Sequence, residues 1–420
     1  MNYQETTEYL FNSTPVFEKI GAKAYKPGLQ TTHALDEHFG HPHRQYKTIH
    51  IAGTNGKGSC SHTIAAILQS QGYKVGLYTS PHLVDFRERI RVNGECVPEQ
   101  YVIDFVEQNR SFFEPLHPSF FELTTAMALK YFAEQGVDYA VIEVGLGGRL
   151  DCTNIITPML SIITNISFDH TQFLGNTLAE IAGEKAGIIK PHVPVVVGEY
   201  LEATRPVFEE KAKEMQAPIL FAQDFFAQDF SAQDTEMESH VEMELKGSYQ
   251  ECNKKTILAA LSILRQNTTI GNAAIRKGFA QVCELTGLRG RWEKLNNAPL
   301  TICDTGHNLA GWNYLAPQIK SVKAETKHIV FGMVDDKDVA HVLQLLSQQL
   351  KNGVKYYWTQ PSTKRAIPVA KLRDFALEYD LHGNAYHSVK EAYKAAKENA
   401  KNSDFIFVGG SSYVVADLLS

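Results

Sequence analysis

The sequence predicts an α/β protein of two domains, each built on a mostly parallel β-sheet. Three observations lead to this class. Short, continuously apolar runs alternate with longer amphipathic segments, the alternation starts again after residue 299, and 420 residues exceed one ordinary domain. Uninterrupted apolar runs are typical of strands buried on both faces, because helices cover both sides of a parallel sheet.

The N-terminal domain is expected to span residues 1–287. The run Thr48–Ala52 predicts a strand, and a helix over 60–71 follows a glycine-rich turn and ends at Gly72. Further strands are predicted at 75–79, 139–144, 160–164 and 193–197, with another helix over 124–134.

The second series predicts a smaller, Rossmann-like α/β domain over residues 299–420. Its strands are expected at 300–303, 328–331, 354–358 and 404–408, with helices over 339–350 and 389–400 among the segments between them. Glycines bracket a basic residue at 287–290, which predicts a linker over 288–298.

Composition limits the class of function. The 41 Lys and Arg against 47 Asp and Glu give a net charge of -6, which argues against a general nucleic-acid binder. No apolar run approaches a membrane span of roughly 20 residues, and the N-terminus shows no signal peptide. The 6 cysteines form no C-x-x-C pair, which is typical of reduced thiols. We therefore expect a cytoplasmic enzyme.

The phrase Ala-Gln-Asp recurs at 222–224, 227–229 and 232–234. A period of five matches neither a helix nor a strand and is far shorter than a solenoid unit. An acidic, exposed surface segment is the favoured interpretation.

The first chemical signal is Gly53-Thr54-Asn55-Gly56-Lys57-Gly58-Ser59, between a predicted strand and helix. Such a loop turns backbone N–H groups toward an anion at the positive end of a helix dipole. Lys57 is placed to reach the outer phosphates of a nucleotide, and Ser59 to face Mg²⁺. The spacing departs from the usual P-loop pattern, and a plain glycine-rich turn is the alternative. The flanking elements favour a P-loop-type ATPase domain.

Polar residues follow two more predicted strands. Glu143 ends an apolar strand and is suited to hold a metal or its water, and His170 follows the next strand and is a possible metal ligand. A salt-bridged glutamate and a loop hydrogen bond are the alternatives. Because ligands bind at the carboxyl ends of strands in open α/β sheets, these residues and Lys57 point to one site.

Three further groups are weak individually. Lys185 lies on a predicted helix, Asp304 and His307 follow a strand of the second series, and Arg291 lies at the predicted linker. A lysine beside a metal can balance charge or be modified, and arginine suits phosphate or carboxylate recognition.

Together these phrases resemble the folylpolyglutamate synthase/dihydrofolate synthase family of the Mur ligase superfamily. The resemblance covers nearly the whole chain, and the order of its phrases makes it specific. They run from 25–29 (YKPGL) to 409–413 (GGSSY), through 53–59, 79–82 (TSPH), 143–151, 173–175, 184–190 (EKAGIIK), Gly332 and 336–338.

The resemblance implies ATP-dependent amide ligation with Mg²⁺. A carboxyl group of a pteroate compound takes the γ-phosphoryl group of ATP, and the amine of L-glutamate attacks the acyl phosphate. Positioning and electrostatics should dominate this chemistry. The leading interpretation is a bifunctional enzyme that accepts dihydropteroate and reduced folates. Small molecules are its expected partners, without nucleic acid or membrane, and the expected state is a monomer.

Matching positions imply roles for residues of this chain. The ATP site is expected to comprise Thr54, Asn55, Gly56, Lys57, Gly58, Ser59, Asn253, Arg291, Asp304 and, with weaker support, His307. Ser80, Glu143 and His170 match magnesium ligands, and Lys185 matches a lysine that is carbamylated in the superfamily. Lys57, Glu143, His170 and Lys185 form the expected catalytic set.

The resemblance also implies a pterin or folate site. Its expected residues are Lys26, Pro27, Gly28, Ser119, Phe120, Phe121, Glu122, Leu150, Asp151 and Cys152. Phe120 and Phe121 could stack on a flat pterin or simply pack in the core, and the sequence does not separate the two. Cys152 departs from the family phrase Asp-Ala-Thr-Asn, and Arg289-Gly290-Arg291 departs from Pro-Gly-Arg.

Several alternatives stay open. One is a single-activity folylpolyglutamate synthase, and another is a Mur-type ligase with a different carboxylate substrate. A third is a nucleotide-regulated binding protein, which would not explain Arg291, Asp304 or the pterin phrases. The preferred folate, the glutamate chain length and the carbamylation of Lys185 do not follow from the sequence.

Overall fold

The structure is a computed structural model that describes residues 1–14, 28–227, 241–335 and 338–420. It divides into two compact units. The first comprises Met1–Glu244 and Gln250–Leu288, and the second comprises Leu245–Tyr249 and Arg289–Ser420. The short segment 245–249 thus belongs to the second unit, although it precedes the last helices of the first.

The first unit has eight strands and twelve helices among its described residues. The strands are β1 Lys47–Ala52, β2 Val75–Tyr78, β3 Ile90–Val92, β4 Glu95–Cys96, β5 Tyr139–Glu143, β6 Leu160–Ile163, β7 Val195–Val197 and β8 Ile219–Phe221. The helices are α1 Tyr3–Ser13, α2 Gln30–His38, α3 Lys57–Gln71, α4 Glu99–Phe113, α5 Phe120–Glu134, α6 Thr171–Leu174, α7 Leu178–Ala186, α8 Arg205–Glu214, α9 Ala222–Ala227, α10 Gln250–Leu264, α11 Asn272–Ala280 and α12 Val282–Thr286. Short 3₁₀ helices lie at 42–45, 86–89, 114–116 and 152–155.

The strand order in the first sheet is β4-β3-β2-β5-β1-β6-β7-β8. Neighbouring strands in the run β2-β5-β1-β6-β7-β8 all pair in parallel. At one edge, β3 pairs antiparallel with both β2 and β4. The carboxyl ends of β5, β1 and β6 are therefore neighbours. This arrangement brings the loops after these three strands to the same edge of the sheet.

Apolar side chains cover both faces of this sheet. Ile49 and Ile51 of β1 join one core with α3, α10 and α11, while Ile142 of β5 joins a second core with α4 and α5. Residues 59–68 of α3 are all buried, so this helix packs on more than one side. Gly72 ends α3 in the left-handed region at φ 101°, as its position in the sequence predicts.

The second unit has six strands and five helices among its described residues. The strands are β9 Glu293–Asn297, β10 Leu300–Asp304, β11 Lys327–Phe331, β12 Val354–Thr359, β13 Gly383–Tyr386 and β14 Phe405–Gly409. The helices are α13 Leu309–Ser321, α14 Val339–Gln349, α15 Val369–Glu378, α16 Val389–Asn399 and α17 Ser412–Leu419. The order is β13-β12-β11-β14-β10-β9, parallel except for β9.

The structure confirms the predicted α/β class and adds edge strands that the pattern did not reveal. The segment 288–298, predicted as a linker, contributes β9 to the second sheet. Its sequence Glu-Lys-Leu-Asn-Asn is polar, since this edge strand has no buried apolar face. None of the helices in the described ranges is long and apolar enough to cross a membrane.

The Ala-Gln-Asp repeat is described only in its first copy. Residues 222–224 begin α9, and the Asp224 carboxylate accepts a hydrogen bond from the Tyr200 hydroxyl at 2.5 Å and pairs with Arg205 at 2.9 Å. The rest of the repeat, 228–234, lies outside the described residues. The first copy thus contributes Asp224 to an ion pair at the surface.

Candidate active site

The glycine-rich loop lies between β1 and α3, as predicted. Gly53 has φ 145° and Gly56 has φ 84°, which are backbone conformations that favour glycine. A Cβ atom at Gly56 would lie 2.2 Å from Oδ1 of Asn253, and one at Gly53 would lie 1.8 Å from Oγ1 of Thr164. The loop therefore needs glycine for both its shape and its neighbours.

Two lysines converge on this loop. Lys57 Nζ donates to the carbonyl oxygens of Gly53 and Thr54, each at 3.2 Å. Lys185 Nζ, from α7, donates to the Gly53 carbonyl at 2.9 Å. Lys185 is 4% exposed, and burial, reinforced by the charge of Lys57, lowers its pKa to about 7. Two nitrogen donors thus share one carbonyl beside a helix N-terminus.

The loop after β6 holds the glycine-rich loop in place. Asn55 N–H donates to Asn165 Oδ1 at 2.9 Å, and Thr54 N–H donates to the Asn165 carbonyl at 2.9 Å. Thr164 Oγ1 donates to the Asn55 carbonyl at 2.5 Å. No motif in the sequence marks Thr164 or Asn165. Their position directly after a strand next to β1 was the available signal.

Ser80 and Glu143 lie together at the ends of β2 and β5. The Ser80 N–H donates to Glu143 Oε2 at 3.2 Å, and the Glu143 side chain is 4% exposed. The two strands are paired in parallel up to Tyr78 and Ile142, so the shared edge brings the two residues together. A carboxylate and a hydroxyl are hard oxygen donors of the kind that Mg²⁺ prefers, so this pair suits such an ion.

His170 lies in the loop after β6, as predicted, in the left-handed region at φ 50°. Its ring is 23% exposed, and Nε2 lies 3.8 Å from Asp169 Oδ1. The Asp169 carboxylate also accepts the backbone N–H of His170 at 2.9 Å. The Asp169 carboxylate therefore fixes the backbone of His170 in the same loop that holds the glycine-rich segment.

Asn253 and Ser59 form a buried polar group with Gln250, which no motif in the sequence marks. Gln250 donates through Nε2 to Ser59 Oγ at 3.1 Å and accepts from Asn253 Nδ2 at 2.8 Å. Ser59 is 1% exposed. The Ser59 hydroxyl thus faces α10, whereas the loop motif predicted that it faces Mg²⁺.

Ser119 and Glu122, expected at the pterin site, begin α5 as a capping box. Ser119 N–H donates to Glu122 Oε2 at 2.7 Å, and Glu122 N–H donates to Ser119 Oγ at 3.2 Å. Glu122 Oε1 also accepts from the Thr32 hydroxyl at 3.3 Å. These bonds give both residues a structural role that does not need a ligand.

The two phenylalanines differ in their surroundings. Phe120 is 2% exposed and stacks on Phe11 at 4.7 Å between ring centroids, with Arg89 over the ring. Phe121 is half-buried and covers Gly145, where a Cβ atom would lie 2.5 Å from the ring. The packing favours the core interpretation for Phe120 and leaves Phe121 as the accessible ring.

Asp151 closes the loop that follows β5. Its Oδ2 accepts from Leu146 N–H at 2.8 Å, and its Oδ1 accepts from the Thr153 hydroxyl at 2.5 Å. Thr153 Oγ1 in turn lies 2.8 Å from Nε2 of His50, which is fully buried in β1. This chain from His50 to Asp151 fixes the glycine-rich segment 145–148, and sequence reasoning missed His50.

The other residues expected at the pterin site lie beside Asp151 or near residue 28. Leu150 and Cys152 flank Asp151 and are half-buried, and burial raises the pKa of the Cys152 thiol. Gly28 has φ 104°, and Lys26 and Pro27 lie outside the described residues.

In the second unit, Asp304 ends β10 as a buried hydrogen-bond acceptor. Its Oδ2 accepts from the Trp292 N–H at 2.7 Å and the Tyr249 hydroxyl at 2.6 Å, and Oδ1 accepts from Gly306 N–H at 2.8 Å. Burial raises the pKa of its carboxyl, against these hydrogen bonds. Asp304 therefore orders the turn that carries Arg291.

Arg291 and His307 lie on either side of Thr305. Arg291 Nη1 donates to the Thr305 hydroxyl and to the Gly290 carbonyl, the latter at 3.2 Å. His307 Nδ1 lies 3.1 Å from the Thr305 carbonyl oxygen. The predicted residues of the second unit are thus brought together by the loop after β10.

Two family models match the chain. The Mur ligase middle domain matches residues 51–260, and the glutamate ligase domain of Mur ligases matches residues 290–412. The dihydrofolate synthase/folylpolyglutamate synthase of Bacillus subtilis is 36% identical over 94% of this chain and 94% of its own. The chain belongs to the dihydrofolate synthase/folylpolyglutamate synthase family. The resemblance inferred from the motifs is thereby confirmed.

Other members of this family are similar over their full length. The folylpolyglutamate synthase of Lacticaseibacillus casei is 33% identical, over 97% of this chain and 96% of its own. Escherichia coli FolC in complex with DHPP and ADP has a TM-score of 0.84 at 29% identity, covering 100% of this chain and 97% of that one. The bifunctional synthase from Yersinia pestis, complexed with AMPPNP and a Mn ion, has a TM-score of 0.84 at 27% identity, with coverage of 100% and 97%.

Proposed function

We propose that this chain is an ATP-dependent ligase that joins L-glutamate to dihydropteroate and to reduced folates through an acyl phosphate. The observation that carries the proposal is the convergence of Lys57 and Lys185 on the Gly53 carbonyl, beside a helix N-terminus. Membership of the synthase family and similarity to enzymes solved with ADP or AMPPNP support ATP as the co-substrate.

Lys57 supplies the positive charge that the transfer needs. Without a nucleotide, its ammonium group is satisfied by the carbonyls of Gly53 and Thr54. A phosphate oxygen is a stronger acceptor for this ammonium group, because it carries a negative charge and a carbonyl oxygen does not. We propose that Lys57 exchanges these carbonyls for the outer phosphates of ATP, while the N–H groups at the start of α3 receive the remaining oxygens.

A divalent metal fits the oxygen donors of Ser80 and Glu143, with His170 as the third proposed ligand. When bound, such an ion neutralises phosphate charge and polarises the acceptor oxygen. Glu143 is buried at a strand end, so it is held in place before any ligand arrives. The Yersinia pestis relative, solved with a Mn ion, supports a metal-dependent reaction.

Lys185 is proposed to act as a carbamate rather than as an ammonium group. A neutral amine attacks CO₂, forms an N–C bond and releases one proton, which leaves an anionic ligand. The pKa of about 7 supports this step, because at pH 7 the Lys185 amine is then neutral in about half of the molecules. The hydrogen bond from Lys185 Nζ to the Gly53 carbonyl, at 2.9 Å, supports a position for the modified group beside the glycine-rich loop.

The pterin or folate is proposed to bind at the loop after β5, with Phe121 as the accessible ring and Asp151 holding the loop. Leu150 and Cys152 are the proposed neighbours of the substrate, and Lys26, Pro27 and Gly28 are proposed from the family phrase. Phe120, Ser119 and Glu122 are proposed to position the start of α5 rather than to contact the substrate. In this arrangement Glu122 and Asp151 position the loop and α5 through the hydrogen bonds given above.

The nucleotide contacts proposed in the second unit are Arg291, Asp304 and His307. Arg291 offers a fork of donors to a phosphate or a hydroxyl. Asp304 is buried and accepts three hydrogen bonds, so its proposed role is to hold the Arg291 turn. We further propose that the enzyme acts as a monomer in the cytoplasm.

The deciding experiment is phosphate release by the purified chain with ATP, Mg²⁺ and L-glutamate. Dihydropteroate and tetrahydrofolate are offered in separate reactions, and products are confirmed by mass. Release with both establishes the bifunctional ligase, and release with tetrahydrofolate alone reduces the activity to that of a folylpolyglutamate synthase. No glutamate-dependent release with either substrate contradicts the proposal and favours another carboxylate substrate.

Lys57→Ala provides the matched variant for this assay. We expect turnover to fall at least about 100-fold, since one preorganised charge contributes roughly 3 kcal/mol to such a transition state. Lys213→Ala removes an exposed lysine of α8 and should leave turnover unchanged. Equal activity in both variants would exclude Lys57 from the phosphate site.

A further inference from the structure

A second cluster of metal-binding side chains lies outside the ligase site. Asp36 belongs to α2, and His41 and His43 lie in the turn that connects α2 to β1. Neither the motifs nor the proposed reaction uses these three residues. His41 follows Asp36 by five positions and His43 follows His41 by two, so one short segment supplies all three donors.

The donor atoms of the cluster converge on one carboxylate oxygen. Asp36 Oδ2 lies 2.6 Å from His41 Nδ1 and 3.4 Å from His43 Nε2. One donor atom from each residue lies within 4.8 Å of the other two. Two imidazole nitrogens and a carboxylate oxygen are a common ligand set for Zn²⁺ and other divalent transition metals.

The backbone holds the donors in this arrangement at a conformational cost. His41 has φ 55°, in the left-handed region that residues with a side chain rarely adopt. Its N–H donates to the Asp36 carbonyl at 2.9 Å, and Pro42 follows it directly. This turn returns the His41 ring toward Asp36 of the preceding helix.

Among the described residues, the partners of the buried Asp36 carboxylate are imidazoles alone. Asp36 is 7% exposed and His43 9% exposed, and the carboxylate borders a small cavity with Phe39, Pro42 and Leu129. Among the residues that the structure describes, only the two imidazoles pair with Asp36, and its Oδ1 has no hydrogen-bond partner. Arg44 is exposed and forms no ion pair with it. Buried carboxylates are normally paired with a cation or bound to a metal.

We propose that Asp36, His41 and His43 bind a zinc ion that joins the end of α2 to the turn before β1. The His41 side chain is 37% exposed, so solvent can supply a fourth ligand. The role is structural: α2 carries Thr32, which donates to Glu122 of α5, and β1 leads into the phosphate loop. A hydrogen-bonded Asp–His–His cluster without metal is the alternative.

The test uses Co²⁺ as a spectroscopic probe on the chelator-treated full chain. The background carries Glu143→Gln and His170→Ala, and Mg²⁺ is in excess, so that the proposed nucleotide-site metal does not contribute. We expect one equivalent of Co²⁺ to give the visible absorption of a low-coordinate nitrogen-oxygen site, and Zn²⁺ to displace it. Absence of this band, or binding without saturation, would overturn the proposal.

His41→Ala is the first variant, because its ring is partly exposed and His43 still pairs with Asp36. It should weaken Co²⁺ binding at least about tenfold, and Asp36→Asn, which keeps the shape of the side chain, should do the same. His33→Ala removes an exposed histidine from the same helix and should bind like the background chain. Zn²⁺ should also raise the unfolding temperature of the background chain but not that of His41→Ala. Retention of the band in His41→Ala would show that these residues are not the ligands.

Discussion

Lys185 shows how one residue's surroundings set its chemistry. Helix α7 points this side chain at the glycine-rich loop, where burial and the charge of Lys57 lower its pKa to about 7. The residue type and its position could be selected from the sequence through the family phrase. Its contact with the Gly53 carbonyl could not, because 132 positions separate the two residues along the chain.

We predict a carbamate on Lys185 that depends on pH. With ¹³C-labelled bicarbonate, wild type should show a carbamate carbon signal at pH 8 that weakens at pH 6, since protonation through a pKa of about 7 removes the attacking amine. Lys185→Gln should lose the signal and most of the turnover, whereas Lys190→Gln should keep the signal. A fully active Lys185→Gln variant would contradict the role.

Substitution of Glu143 tests the proposed metal site. Glu143→Gln keeps the shape of the side chain and its contact with Ser80 N–H but removes the charge. The Mg²⁺ concentration for half-maximal turnover should rise at least about tenfold, since a hard cation loses its anionic ligand. An unchanged Mg²⁺ titration would remove Glu143 from the metal site. Glu199→Gln, also after a strand of the first sheet, is the matched control.

At the scale of elements, the sequence revealed strands whose side chains are buried on both faces. The strands β1, β5, β6, β10 and β11 follow their predicted ranges to within one residue. Edge strands such as β9 and β13 were missed, because they are polar and short and owe their structure to backbone pairing with a neighbour. Periodicity has no signal for such pairing.

The packing of the loop after β5 on α7 gives a prediction at this scale. A Cβ atom at Gly187 would lie 2.4 Å from Cα of Arg149, so that backbone must move. Gly187→Ala should lower the free energy of unfolding by about 1–3 kcal/mol and reduce turnover, because Lys185 is displaced with the loop. Denaturant unfolding and the ligase assay measure the two effects.

Gly183 is the matched control on the same helix. A Cβ atom there would meet nothing within 4 Å, so Gly183→Ala should raise stability by about 0.5–1 kcal/mol through helix propensity. The free energy of unfolding is therefore expected to fall in Gly187→Ala and to rise in Gly183→Ala. Destabilisation of equal size in both would mean that the close approach of Gly187 is not the cause.

At the scale of the whole molecule, the pattern of the chain predicted two α/β units but not how the chain is shared between them. Residues 245–249 belong to the second unit because Tyr249 donates to Asp304, and the sequence gives no sign of this excursion. A hydrogen bond over such a separation depends on the finished fold. The structural role of a buried polar residue such as His50 cannot be predicted for the same reason. In the sequence, His50 is simply one polar residue in an apolar run.

His50 gives a prediction for the stability of the molecule. Burial, with the charge of Lys190 second, lowers its pKa to about 3 from an ordinary value of 6.5. Between these values the unfolded chain binds a proton that the folded chain refuses, so stability must fall as the pH falls below 6.5. At pH 5 this one group costs about 2 kcal/mol relative to pH 7.

His50→Gln should remove this part of the acid sensitivity. The variant can still bond to Thr153, and its loss of stability between pH 7 and pH 5 should be smaller than that of wild type by about 2 kcal/mol. Circular dichroism is the suitable probe, because Trp292, Trp312 and Trp358 all lie in the second unit and report on it alone. His33→Gln, an exposed histidine, should behave like wild type. The same pH dependence in His50→Gln and wild type would mean that His50 takes up its proton in the folded state, and that its chain of hydrogen bonds to Asp151 is broken in acid without unfolding.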